Sequence, residues 1–292
     1  MPGLENTKGE DWNILANDYA KITAQVALAP IGLMLSRANA LHPLSAATGI
    51  LDNGCGPGPV MSRIIKDYGS VIPGTCSLTC SDFSEGMIGA VKKIKAEKEE
   101  ESKEGSSATA TAALWKRVGC KVQNAMDLNG IGDGSQSHVT AGMVYFMTPD
   151  PMKCLAESQR VLQPDGVLSL SAWQGSEWIE LMKVLLKVRP DKTMPTMPEA
   201  WTSAKGIEGE LKKAGFRDVE AHEVPVEMTF QDYGSFVEFL LGKLPHMLAL
   251  TSDMGGEEIG KVKVEMVAEM KRMCLTEPGK LKGVSLVAVG RK

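Results

Sequence analysis

The residues best suited to holding a ligand lie in a glycine-rich turn. Asp52 ends a short apolar run, and Gly54, Gly56 and Gly58 follow at every second position before a helix-compatible segment at 60–68. Glycine permits unusual dihedrals and lets a ligand approach bare amides, and the next helix start offers unpaired N–H donors. The pattern predicts a strand, a tight turn and a helix. By itself it is weak evidence for a nucleotide-like ligand, so the neighbouring strands must support it.

Polar side chains also end the next two predicted strands. Asp82 closes a strand at 75–81, and Asn124 follows a strand at 118–122. The carboxyl ends of parallel strands meet at one sheet edge, where doubly wound folds bind their ligands. An acid at the end of the second strand is placed to accept both ribose hydroxyls of an adenosine-type ligand.

The scaffold for these residues is a regular alternation of strands and helices. Strands are predicted near 50–52, 75–81, 118–122, 139–146, 167–172, 216–226 and 284–291. This rhythm predicts an α/β fold with a doubly wound, mostly parallel seven-stranded sheet. Pro30 is expected to start a second N-terminal helix, and residues 104–113 read as a flexible surface insertion. The predicted domains are a helical lid (1–47), a core (48–230), a helical cap (231–280) and a final core strand (281–292).

The charge and composition of the chain limit the kinds of partner to be expected. A formal net charge of −4 over 292 residues gives no electrostatic reason to bind nucleic acid or an anionic membrane. No run of about 18 apolar residues is present, and the polar, acidic residues 1–11 do not read as a secretory or transit signal, so a cytoplasmic location is expected. The six cysteines and four histidines show no ligand spacing, so no metal is expected. The oligomeric state stays open.

Four segments in order resemble the motifs of class I S-adenosylmethionine-dependent methyltransferases. They are Ile-Leu-Asp-Asn-Gly-Cys-Gly-Pro-Gly at 50–58, Ser-Asp-Phe-Ser-Glu-Gly-Met at 81–87, Asn-Ala-Met-Asp at 124–127 and Arg-Val-Leu-Gln-Pro-Asp-Gly at 160–166. Segments 78–87, 172–178 and 215–219 look like the fungal small-molecule methyltransferases that include gliotoxin-type dithiol S-methyltransferases. The resemblance implies a Rossmann-like methyltransferase fold, S-adenosylmethionine as cofactor and a small-molecule acceptor.

The resemblance also implies roles for single residues. Asp52 would order the glycine turn and the cofactor's amino group, and Asp82 would bind the ribose hydroxyls. Asn124 stands where the wider family commonly has aspartate, but its amide oxygen can still accept from the adenine amine. The implied cofactor site is Tyr19, Asp52, Gly54, Gly56, Gly58, Asp82, Phe83, Met87, Asn124, Ala125, Met126 and Met143.

No catalytic residue is predicted, and this favours a thiol acceptor. A thiol with a pKa of about 8.5 is a few per cent thiolate at neutral pH and needs little help from a base. A phenol or alcohol acceptor would need a general base, and His246, in the predicted cap, is the one histidine expected to face a pocket. The residues expected to line an acceptor pocket are Trp12, Tyr145, Phe146, Trp173, Trp178, His246 and Met247.

Alternatives to S-methylation stay open. They are O- or N-methyl transfer to a related metabolite, a methyltransferase-like pericyclase, and a regulatory protein that binds the cofactor without transferring its methyl group.

Overall fold

The computed structural model describes residues 9–13, 16–101 and 108–292. Its strands are β1 Gly49–Asn53, β2 Ser77–Asp82, β3 Val118–Val122, β4 Gln136–Gly142, β5 Leu162–Ser176, β6 Arg217–Phe230 and β7 Gly279–Arg291. They form one sheet in the order β3-β2-β1-β4-β5-β7-β6. Strands β1 to β5 pair in parallel, whereas β7 is antiparallel to both of its neighbours, β5 and β6. The predicted α/β class and the mostly parallel seven-stranded sheet are confirmed.

Helices occupy most of the connections. They are α1 Gly9–Asn13, α2 Ala16–Leu41, α3 Pro59–Tyr68, α4 Glu85–Glu101, α5 Ala108–Arg117, α6 Pro151–Val161, α7 Glu177–Met182, α8 Leu185–Val188, α9 Ala204–Lys213, α10 Tyr233–Lys243, α11 Pro245–Thr251 and α12 Gly256–Met273. Among the helices that the structure describes, none is both long and apolar enough to cross a membrane.

Two helix expectations were wrong. Pro30 lies inside α2 and does not start a helix. It is buried there, and α2 packs across β5, β6 and β7, so packing compensates for the backbone hydrogen bond that proline cannot donate. Helix α5 begins within the stretch expected to be a flexible insertion. Its Leu114 and Trp115 are buried against the β1–β3 side of the core, which stabilises a segment of weak helical pattern.

The sheet register brings the polar strand ends together. Asp52 of β1 lies beside Cys80 of β2 on one side and beside Thr140 of β4 on the other. The turn after β1 and the last residues of β2 and β4 therefore share one edge of the sheet, as expected for a doubly wound fold.

A separate hydrophobic cluster lies beside the ends of β6 and β7. Helices α10 to α12, which follow β6 in the chain, pack there with α7 and α8. Buried members include Met247, Met266 and Leu281. The predicted division of the chain into lid, core and cap stays a prediction.

Candidate active site

A cavity of about 400 Å³ opens at this edge of the sheet. It is bounded by the glycine turn after β1, the segments that follow β2, β3 and β4, the end of β5, and part of α2. The residues predicted for the site that do line it are Trp12, Gly54, Gly56, Asp82, Phe83, Met87, Asn124, Ala125, Met126, Met143 and Trp173. Most of the predicted cofactor residues thus lie around one cavity.

The glycine turn needs glycine for two different reasons. Gly54, Gly56 and Gly58 have φ values of +71°, +51° and +89°, which side chains rarely adopt. A Cβ on Gly54 would lie 2.6 Å from both γ-carbons of Val144. A Cβ on Gly56 would meet nothing within 4 Å and would project into open space beside the cavity. Gly54 therefore serves packing, whereas Gly56 leaves its backbone accessible to a ligand.

Asp82 is held in place by backbone donors from two loops. Its Oδ2 accepts from Gly56 N–H at 2.9 Å, and its Oδ1 accepts from Ser84 N–H at 2.9 Å. The side chain is only 7% exposed but lines the cavity, and burial raises the pKa of its carboxyl group above the usual value. Each oxygen keeps a further lone pair, so the carboxylate can still accept from a diol.

Asp52 lies beneath the turn and outside the cavity lining. It is fully buried, and its Oδ1 accepts from Thr140 Oγ1 at 2.9 Å. Its Oδ2 has no hydrogen-bond partner among the described residues. Burial raises the pKa of Asp52 to about 7. In this structure the Asp52 side chain therefore links β1 to β4, and its roles in ordering the turn and in binding the cofactor's amino group stay predictions.

The end of the cavity formed by the segments after β2 and β3 suits a flat apolar ring with polar edges. Phe83 exposes 41% of its surface, which is high for a phenylalanine, and it lines the cavity together with Met87. Ala125 and Asn124 lie there too, and Asn124 Oδ1 accepts from Met126 N–H at 2.9 Å. That bond fixes the amide and leaves a second lone pair on its oxygen. Tyr19 lies on α2, but its side chain is outside the part of the chain that the structure describes.

Several predicted residues are not in the cavity lining. These are Asp52, Gly58, Tyr145, Phe146, Trp178, His246 and Met247. Tyr145 and Phe146 begin a short 3-10 turn that directs both rings into the core, where they are 1% and 2% exposed. The Tyr145 hydroxyl accepts from Asn53 Nδ2 at 3.0 Å and lies 2.7 Å from Ser158 Oγ. Their placement in an acceptor pocket was therefore wrong.

The cap residues are likewise core residues. Met247 is fully buried, and His246 Nε2 lies 3.2 Å from Met182 Sδ. Burial lowers the pKa of His246 to about 4, so its imidazole is neutral. No residue of α10 to α12 lines the cavity, and the expectation that His246 and Met247 face it was wrong. Trp178 is also buried, but it touches a cavity residue: its ring packs edge-on against Trp173, with centroids 5.2 Å apart.

The sequence reasoning missed much of the remaining lining. The missed residues are Val26, Ala27, Pro30, Ile31, Pro59, Val60, Gln123, Gly142, Thr148, Pro149, Ser171 and Met228, whereas Cys55, Pro57, Val144 and Met147 lie in segments 52–58 and 143–147, which the strand ends place at this edge. Strand alternation could have found Ser171, which stands two positions before Trp173 on the same face of β5. No local sequence pattern predicts that Met228 lines the cavity, because β6 reaches the cavity only through the order of the strands in the sheet.

The backbone is strained where β4 leaves the sheet. Met143 has a φ of +59°, which is uncommon outside glycine, and it lines the cavity. Its N–H is shared between the carbonyl oxygen and Oγ of Ser171, both at 3.1 Å. Strained residues held by their surroundings concentrate at functional sites. Position 143 is therefore fixed by β5 and not by its own preference.

Few titratable side chains face the cavity. Among the described residues that line it, Asp82 and Cys55 are the titratable ones, and Asp82 is occupied by two N–H donors. A hydrogen bond with the neighbouring Cys80 and, after it, burial raise the pKa of the Cys55 thiol. Within the described residues, no group of three or more histidine, cysteine or carboxylate side chains could hold a metal ion.

Comparison with known proteins identifies the family. The profile of a methyltransferase domain matches residues 51–170. The methyltransferase ucsB of an Acremonium species is 38% identical over 283 residues, which covers 97% of this chain and 95% of ucsB. The chain belongs to the class I S-adenosylmethionine-dependent methyltransferases. The acetylaranotin bis-thiomethyltransferase of Aspergillus terreus is 27% identical to this methyltransferase over 207 residues, 68% of this chain and 65% of that protein.

Solved structures share the fold of this methyltransferase at low identity. The phosphoethanolamine N-methyltransferase 2 of Haemonchus contortus, solved with S-adenosylhomocysteine, has a TM-score of 0.51 at 16% identity. The match covers 99% of this chain and 59% of that one. The YcgJ protein of Bacillus subtilis has a TM-score of 0.53 at 14% identity, over 90% of this chain and 97% of YcgJ.

S-adenosylmethionine is the cofactor of this methyltransferase. The cavity fits it: Asp82 offers carboxylate oxygens for a diol, Gly56 leaves open backbone, and exposed Phe83 offers an apolar surface for a flat base. The predicted assignment of each of these residues to a part of the cofactor is a proposal.

Proposed function

We propose that this methyltransferase methylates a thiol sulfur of a small molecule of fungal secondary metabolism. The observation that carries the proposal is the lack of an available base: among the described lining residues, Asp82 is hydrogen-bonded to two backbone amides and no histidine is present. The likeness to the acetylaranotin bis-thiomethyltransferase supports a thiol acceptor, and the likeness to ucsB supports methyl transfer.

A thiol suits such a site because of its acidity. With a pKa of about 8.5, a few per cent of a free thiol is thiolate at neutral pH, so its proton can leave to solvent before the reaction. An aliphatic alcohol is hardly ionised at neutral pH, and a phenol, with a pKa of about 10, is ionised to a smaller fraction than a thiol. Both would benefit from a positioned base, which the described lining lacks.

When bound, S-adenosylmethionine would supply an electrophilic methyl group for the acceptor sulfur, and the rest of the cofactor would leave as a neutral thioether. The residues of the chain bind and orient the cofactor and the acceptor, and they exclude water. Asp82, Phe83 and Asn124 would fix the adenosine part. Met143 and Trp173 bound the other end of the cavity. Such alignment can account for much of the rate when the leaving group is already good.

The accepting atom can be tested with matched acceptors. Benzyl mercaptan, benzyl alcohol and benzylamine share one ring and differ in the accepting atom. With methyl-labelled S-adenosylmethionine, label is expected in the thioether at a rate at least about 100-fold above the other two products. Preferred labelling of the alcohol or amine would overturn the proposal. An isomerised, unlabelled product from a natural acceptor would instead support the pericyclase alternative.

The pH profile separates acceptor acidity from a hidden protein base. Benzyl mercaptan and a fluorinated, more acidic thiol should each show a rate that rises with that thiol's own ionisation. A single midpoint shared by both acceptors would indicate a base on the protein and contradict the proposal.

A further inference from the structure

We propose that the acceptor carries an apolar ring that packs against Trp173, and that Trp178 is a positioning residue that holds Trp173 in place. The proposal rests on the proposed function only in taking the same cavity as the acceptor site. It does not depend on which atom is methylated.

The β5 strand directs Trp173 to the cavity. Ser169, on the same face of β5, donates its hydroxyl hydrogen to the carbonyl of Met34 on α2, so this face is the one that α2 covers. Ser171 and Trp173 follow at two-residue spacing and both line the cavity. The pairing of β5 with β7 shifts register between Trp173 and Gly175. Such irregularities re-aim side chains and are enriched beside active sites.

Trp178 fixes the Trp173 ring from behind. The two indoles pack edge to face, with centroids 5.2 Å apart and planes at 82°. Trp178 is 5% exposed and lies in the first turn of α7, where Ser176 caps the helix by accepting from Ile179 N–H at 3.2 Å. This geometry is favourable for aromatic pairs. Because Trp178 is buried and lines no part of the cavity, it acts through Trp173.

Trp178 is itself seated on the sheet. Gly283 of β7 leaves the space for its ring, since a Cβ there would lie 2.5 Å from Trp178 Cη2. The position of Trp173 is therefore set by a chain of contacts that begins on β7, passes through α7 and ends at the cavity.

The surroundings of Trp173 favour an apolar acceptor. Met143, Met147 and Met228 also line the cavity, and thioethers pack well on aromatic rings. Of the hydroxyls nearby, Thr148 Oγ1 already donates its hydrogen to the Tyr145 carbonyl at 2.7 Å, and Ser171 Oγ accepts from Met143 N–H. Asp82 is the lone lining side chain among the described residues that carries a carboxylate, and no lysine or arginine lines the cavity. An acidic acceptor would therefore find no cationic side chain among the described lining residues, whereas a ring would find indole and thioether surfaces.

The test measures acceptor binding and not turnover. Protein saturated with S-adenosylhomocysteine is titrated with benzyl mercaptan, benzyl alcohol and the ringless 1-propanethiol, and tryptophan fluorescence reports binding. Both ring compounds are expected to bind at least about 10-fold tighter than 1-propanethiol, because indole–ring contact adds to area burial. Tighter binding of 1-propanethiol than of benzyl alcohol would overturn the ring proposal while leaving S-methylation intact.

Variants at position 178 test the positioning role. Trp178→Leu is expected to weaken benzyl mercaptan binding by about 5- to 10-fold, and Trp178→Phe by about 2-fold, because phenylalanine restores an edge-to-face partner. Affinity for S-adenosylhomocysteine should stay unchanged in both, which also reports a folded protein. The matched control is Trp201→Phe, which alters another buried tryptophan, 2% exposed, in a different part of the core.

Two outcomes would contradict the positioning role. One is unchanged benzyl mercaptan binding in both Trp178 variants. The other is an equal loss in Trp201→Phe, which would indicate general loosening of the core. If Trp178→Leu does not fold, the comparison of Trp178→Phe with Trp201→Phe decides.

Discussion

The backbone N–H of Gly56 donates to Oδ2 of Asp82 over 2.9 Å, which joins the glycine turn after β1 to the acid that ends β2. Two sequence motifs separated by a whole helix are thus one hydrogen-bonded unit. The carboxylate that is proposed to bind the ribose is oriented before any ligand arrives, and the turn is held at the same time.

Replacing Asp82 with alanine is expected to weaken cofactor binding by about 10- to 100-fold, because hydrogen bonds to a charged group are the strong ones. Titration calorimetry with S-adenosylhomocysteine measures this. Far-ultraviolet circular dichroism should show an intact fold. The matched control is Asp127→Ala, an exposed carboxylate near the same edge. Equal affinities for wild type and the Asp82 variant would refute the assignment.

Alanine at Gly54 and at Gly56 should have different effects. Both positions need a positive φ, which costs alanine roughly 1–2 kcal/mol. Gly54→Ala also places a Cβ against Val144, so its free energy of unfolding should fall further. Gly56→Ala should fold but bind S-adenosylhomocysteine weakly. Urea unfolding and calorimetry on both variants check this, and equal stability losses would argue against separate roles.

The buried Asp52 should give stability a pH dependence. Its pKa is about 7 in the folded protein, against 3.8 as the ordinary value. Between these values the native state keeps a proton that the unfolded state releases, so this group's contribution to stability falls as the pH rises. The advantage of Asp52→Asn over wild type should therefore grow from pH 5 to pH 8, by up to about 3 kcal/mol.

Urea unfolding of the Asp52→Asn variant at several pH values measures this trend. Asp127→Asn, at an exposed position, is the control and should run parallel to wild type. A constant difference between Asp52→Asn and wild type would mean that Asp52 is already charged in the folded protein.

Tyr145→Phe should lower stability and spare methyl transfer. The hydroxyl accepts from Asn53 Nδ2 and pairs with Ser158 Oγ in a fully buried site, so its loss should cost about 1–3 kcal/mol. Because the ring lies outside the cavity, the KM values for cofactor and acceptor should change little below the melting temperature. Thermal unfolding and initial rates test this, and a large rise in the acceptor KM would return Tyr145 to the site.

Local sequence patterns were enough to predict the sheet and the part of the cavity lined by the segments after β1, β2 and β3. The apolar runs before Asp52, Asp82 and Asn124 are typical of strands. Because parallel strands end at the same edge of the sheet, the topology predicts that these three side chains lie close together. The direction of a side chain that comes after the end of a strand could not be predicted from topology. Tyr145 turns into the core because a 3-10 turn intervenes, and this depends on packing against α6.

The part of the cavity lined by Trp173 and Met228 depended on contacts between distant segments. Met228 and Trp173 come together only because β7 enters between β5 and β6, which no local period records. His246 was expected to face the cavity because a helical insertion before the last strand suggests a cap over the ligand edge of the sheet. The insertion instead builds its own buried cluster with α7 and α8.

The position of β7 has a consequence for synthesis on the ribosome. Strand β6 lies at the edge of the sheet and is paired to β7, which occupies residues 279–291 of 292. Until that segment leaves the exit tunnel, β5 has an open edge and β6 has no partner. Unpaired strand edges favour aggregation. The nascent methyltransferase therefore completes its sheet only after β7 has left the tunnel, because β7 is the strand that joins β6 to the rest of the sheet.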